Sequence, residues 1–154
     1  MRERLAALHR RLRQACTAVR ERVGHRGAFL FGLAVLDYAS AYRLANPEPT
    51  ALSGPAYEWI ASVAPLGVWA TAWSTVATLA LVQAFQRNDA LAYGCAMGLK
   101  VVWSAVYLIG WLLHDLPNGY FSVAIWAFAA WMVYVVATWP EPTQAHDHDR
   151  EVTD

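Results

Sequence analysis

Four runs of apolar residues, 28–45, 66–85, 91–113 and 120–139, decide what this chain can fold into. Crossing a hydrocarbon layer about 30 Å thick takes roughly 20 helical residues, and each run meets or approaches that length. Lipid offers a peptide N–H or C=O no partner, so a lone spanning segment must be an α-helix. The expectation is an all-α fold: a four-helix transmembrane bundle preceded by an amphipathic N-terminal helix. With 57% hydrophobic and 16% charged residues, composition alone would allow one soluble domain of 154 residues. The arrangement decides against it. Charges gather at the two ends, and the formal net charge of zero cancels a basic head against an acidic tail. Several of the eight tryptophans and seven tyrosines lie near run ends, where amphipathic rings form interfacial belts.

Two ionisable residues interrupt the runs. Lys100 is the one lysine of the chain and stands deep in the third run, where a charge costs roughly 2.5–3.5 kcal/mol on insertion scales. Asp37 stands in the first run. Each lies nine residues past the start of its run. At about 1.5 Å per residue both sit near the bilayer midplane if the runs are parallel. Asp37 and Lys100 are therefore expected to form a buried ion pair. At 100° per residue, Lys100 shares a helix face with Tyr93, Met97, Ser104, Tyr107, Trp111 and His114. Such a polar stripe should face the bundle interior or a pore, although ordinary aromatic packing would explain every member except Lys100. Gly94 and Gly98, extended backward by Ala90, form a GxxxG pair about 120° away from Lys100. Small residues at this spacing let helices approach closely, so a homo-oligomer through the third span is a candidate assembly.

The segments divide as a head, 1–26, a membrane domain, 27–140, and an acidic tail, 141–154, expected to be disordered. In the head, Leu5, Leu8, Leu12, Cys16, Val19 and Val23 form one stripe flanked by arginines. Arg10, Arg11, Arg13 and Arg20 are the candidates for binding an anionic inner leaflet. The same stripe is also an a/d heptad pattern, so self-association is the alternative. Gly24 and Gly27 loosen the chain before the first span. The head, first run and Ala39-Ser40-Ala41 partly fit a cleaved secretory signal, but the head is long and Asp37 interrupts the approach to that site. In the loop 46–65, Pro47, Pro49, Gly54 and Pro55 exclude a continuous helix. A short turn from Pro55 would lay Tyr57, Trp59 and Ile60 on the membrane surface, with Glu58 in reach of Arg43. Pro65 suits the first position of the next helix. In the second run, Thr71, Ser74, Thr75 and Thr78 are expected to bond their own backbone.

Loop charge sets the orientation. Eight arginines precede the first span and Arg87 lies between the second and third, whereas loops 46–65 and 115–119 carry no lysine or arginine. Both termini are thus expected in the cytoplasm, as for a multi-pass protein of the bacterial inner membrane.

No nucleophile–base set, phosphate loop or clustered Cys/His signature appears, so neither an enzyme nor a cofactor or metal site is read. The tail segment His146-Asp147-His148-Asp149 lacks a scaffold to fix ligand geometry. Beside a membrane, lipid is a nearer partner for the basic head than nucleic acid.

The plan resembles small four-span membrane proteins of actinobacteria and their phages, some described as holin-like. The resemblance covers residues 26–142 and rests on Arg26-Gly27-Ala28-Phe29-Leu30, Ala64-Pro65-Leu66-Gly67-Val68-Trp69, Leu99-Lys100-Val101-Val102-Trp103 and Trp139-Pro140-Glu141-Pro142. It implies a pore- or lesion-forming oligomer that releases a lytic enzyme. A non-enzymatic accessory or scaffold subunit of a membrane or virion assembly is the alternative.

Overall fold

The computed structural model describes residues 2–52, 54–86 and 88–140, with side chains from residue 24 onward except at 50 and 51. Among these residues the fold is all-helical. Helix α1 (Arg2–Ala45) carries both the head and the first span. The expected loosening is concentrated in one residue: Gly24, at φ 59° and ψ −175°, kinks the helix. A positive φ costs glycine almost nothing, whereas a Cβ there would clash with the backbone. The apolar part, Gly24–Ala45, begins four residues before the run expected from sequence. Two short helices follow, α2 (Pro49–Leu52) and α3 (Pro55–Val63), then α4 (Leu66–Gln83), α5 (Ala90–His114) and α6 (Gly119–Ala137). Gly24–Ala45, α4, α5 and α6 are each long and apolar enough to cross a membrane.

The side chains are distributed as lipid requires. Val68 and Val82 on α4, Phe85 just past its end, Val101, Val102 and Leu112 on α5, and Phe121, Ile125 and Phe128 on α6 are all exposed. In water so much outward apolar surface would be a liability, and in a bilayer it is the solvated face. Inside, the helices meet through small residues: Ala34 and Ala41 of α1, Ala70, Ala77 and Ala80 of α4, Ala92 and Ala96 of α5 are buried. Small residues bring backbones close where no hydrophobic effect drives association. The chain is a small multi-pass integral membrane protein.

Helix α1 packs mainly on α4 and α5 mainly on α6, giving two antiparallel hairpins joined chiefly across α4 and α5. Helices α1 and α5 stand diagonally and their backbones barely meet. At the end carrying the head, Arg26 forms a salt bridge with Asp89, Nη2 to Oδ1 at 2.6 Å. Asp89 is the N-cap residue of α5, yet its side chain makes no cap hydrogen bond. Gln83 does that work instead, its Oε1 accepting from the Ala92 N–H at 2.8 Å, one of the donors a helix start leaves open.

At the other end the loop 46–65 departs from expectation. Pro55 does open a helix, α3, but α3 folds onto the bundle rather than the membrane surface. Tyr57 and Ile60 are buried, and Trp59 Nε1 donates to Val106 O of α5 at 2.9 Å. Gly110 makes this possible: a Cβ there would stand 2.6 Å from Trp59 Nε1. Glu58 does not reach Arg43; Arg43 Nε donates to Tyr57 Oη at 3.0 Å instead. Pro65 stands one position earlier than expected, at the N-cap of α4. Thr71, Thr75 and Thr78 each donate to the carbonyl four residues back, as α4's hydroxyls were expected to do.

Candidate functional site

Lys100 and Asp37 are both fully buried. Lys100 Nζ donates to Asp37 Oδ1 at 2.8 Å and to Oδ2 at 3.1 Å. No other hydrogen bond reaches the Asp37 carboxylate among the described residues. Because α1 and α5 are diagonal, it is the long lysine stem that bridges the interior; the helices do not bring the charges together by packing. The pair lies where two cores meet. Toward the head is an alanine-rich cluster with Leu30, Ala34, Ala80, Ala92 and Ala96. Toward α3 is an aromatic cluster with Tyr57, Trp69, Trp73 and Trp103.

Trp73 joins the pair to that second cluster. Its ring lies 5.2 Å from Lys100 Nζ, a cation–π contact on a desolvated ammonium. The same ring meets Trp103 edge-on at 5.5 Å and Trp126 at 5.2 Å, and Trp69 meets Trp103 edge-on at 4.9 Å. Edge-to-face contacts set the positive ring rim against a negative face. Trp69, Trp73 and Trp103 are thus core residues and not members of an interfacial belt. The signal was present: Trp69 and Trp73 are four residues apart on one helix face, and Trp103 lies one turn beyond Lys100.

The other members of the stripe separate by depth. Tyr93 is buried, stacked on Phe29 at 6.3 Å, and its hydroxyl donates to Arg26 O at 2.9 Å. Ser104 Oγ donates to Val123 O of α6 at 3.2 Å. Tyr107 is half-buried against Trp103. Trp111 and His114 do not face the interior: both are exposed, and His114 lies over Trp59 with ring centroids 4.3 Å apart. Five turns past Tyr93 the stripe has reached the end of the bundle, where Trp111 and His114 are only partly covered by their neighbours.

No family model, curated protein or solved structure matches the chain.

Gly94 and Gly98 take no part in packing within one copy. A Cβ at either would meet nothing within 4 Å. The close helix approaches use Gly110 and Gly119 instead, the latter 2.7 Å from Trp111 Cβ by the same construction. Arg10, Arg11, Arg13 and Arg20 lie among the residues whose side chains are outside the described part, as does the tail 141–154. Among the described residues no group of three His, Cys, Asp or Glu side chains converges on a metal position.

Chemically, the pair is an internal clamp. It is neutral as a unit, and both of its side chains are closed to water. Separating its members would leave two charges in an apolar interior, which is costly. It holds α1 to α5 across the bundle.

Proposed function

We propose that this chain acts by self-assembly in the bilayer, as a lesion-forming oligomer of the holin type. The observation carrying this is the open face of α5: Gly94 and Gly98 have free space above them, Gly94 being exposed and Gly98 partly exposed. Small-xxx-small faces associate in membranes because they bring backbones within dispersion range. The buried clamp agrees with that reading, since a path between copies leaves the Asp37–Lys100 pair intact. In this reading both termini are cytoplasmic, the basic head rests on anionic inner-leaflet lipid, and no catalysis, cofactor or nucleic acid takes part.

Controlled expression in a bacterial host should collapse the membrane potential abruptly once a threshold amount has accumulated, read with a potential-sensitive dye. Gly94→Leu with Gly98→Leu should delay or abolish the collapse while leaving the amount of folded protein unchanged, because both positions are open in a single copy. An undisturbed potential at full expression would overturn the lesion. It would favour a scaffold subunit of a membrane or virion assembly, for which the pairing of the two buried charges is the supporting observation.

A further inference from the structure

Beside the clamp, at the end covered by α3, the bundle encloses a partly open cavity of about 90 Å³. One water needs roughly 10–15 Å³ by this measure, so there is room for the body of a small molecule. Trp73, Trp103 and Trp126 give it apolar walls, and Tyr57, Tyr107 and Arg43 give it polar ones.

The polar groups are biased toward donation. The Trp73 indole N–H is buried and has no hydrogen-bond partner among the described residues. An indole nitrogen can only donate. The Tyr107 hydroxyl also makes no hydrogen bond among those residues, and Tyr57 Oη, accepting from Arg43 Nε, keeps its own proton to give. Arg43 is exposed, and beyond that one Nε bond its guanidinium makes no hydrogen bond among the described residues. No carboxylate lines the cavity among the described residues, and the nearby Asp37 is already occupied by Lys100.

An aromatic cavity commonly takes a cation. Here that choice is disfavoured, since Arg43 already stands at the rim and the Trp73 ring carries the Lys100 ammonium. We propose that this cavity binds a carboxylate on a small apolar body, the body against the tryptophans and the oxygens on Arg43, the tyrosine hydroxyls and Trp73 N–H. Guanidinium and carboxylate match geometrically and form charge-assisted hydrogen bonds. The ligand reaches the site either from water as a small acid or from the bilayer as a fatty acid. This site is independent of the assembly reading, because it lies inside one copy and away from Gly94 and Gly98.

The test uses the full chain in detergent micelles, titrated separately with benzoate, laurate and benzyltrimethylammonium while ligand-observed saturation-transfer NMR records binding. Saturable binding of benzoate supports the proposal with a soluble source. Binding of laurate without benzoate supports it with a bilayer source. Arg43→Gln, at an exposed position, should weaken either carboxylate about tenfold or more, the range for a hydrogen bond to a charged group. Trp73→Phe, which keeps a ring but removes the N–H, should weaken it several-fold. If Trp73→Phe fails to fold, Arg43→Gln decides alone. Equal or tighter binding of the ammonium probe, no saturable binding of either acid, or unchanged affinity in Arg43→Gln overturns the proposal.

Discussion

Replacing Lys100 by methionine removes a charge with little change of volume, and replacing Asp37 by leucine removes the other charge while keeping the branched outline, with two bulkier methyl groups in place of the carboxylate oxygens. Both side chains are fully buried, and the two hydrogen bonds at 2.8 and 3.1 Å are the only ones at the carboxylate among the described residues. Lys100→Met therefore orphans Asp37 completely. Breaking a buried pair on one side costs about 3–5 kcal/mol in soluble proteins. An orphaned charge can also escape by changing protonation. From the ordinary ionisation of an aqueous carboxylate or ammonium, that route costs about 4–5 kcal/mol at pH 7, so it caps the loss near the same value. Water defects in the bilayer lower it further, and about 2–4 kcal/mol is expected for each single variant. The double variant leaves two apolar side chains in contact range and should lose only about 1–2 kcal/mol, the cost of imperfect repacking. The two substitutions should thus couple by about 2–7 kcal/mol, in or above the upper part of the roughly 0.5–3 kcal/mol typical of interacting neighbours. Denaturation in mixed micelles, followed by tryptophan fluorescence, would measure all four corners of the cycle. Losses that simply add would refute the clamp, because residues that do not depend on one another add.

Two further outcomes follow from the packing and the loop charges. Gly110→Ala should destabilise the fold by about 1–3 kcal/mol and release Trp59 from Val106, seen as a red shift of tryptophan emission, whereas Gly94→Ala should leave the single copy unchanged. Reporter fusions after Asp89 and after Asp154 should register the cytoplasm and fusions near Ser53 and Asn118 the outside; an outside C-terminus would break the four-span reading.

The lengths of the apolar runs determined the helices, because the hydrogen-bond demand of a backbone in lipid depends only on local sequence. The ends of α4, α5 and α6 fall within two residues of the runs read from sequence. The cost of a lone charge in lipid likewise made Asp37 and Lys100 each other's natural partners, and equal depth in parallel spans followed from counting residues. Everything that depends on which helix lies beside which was decided by the tertiary structure. Sequence order does not say that α1 and α5 are diagonal, so that a lysine stem must bridge them. Nor does it say that α3 folds back over α5, turning Trp59 inward and leaving Arg43 to Tyr57 instead of Glu58. Glycines show the same division. Gly94 and Gly98 carry the recognisable spacing but remain uncovered, while Gly110, with no motif around it, receives an indole. A helix's periodicity defines its faces, but a face becomes core only when a neighbour covers it. That choice depends on contacts between residues such as Trp73, Trp103 and Trp126, far apart in the chain and fitted together only in three dimensions.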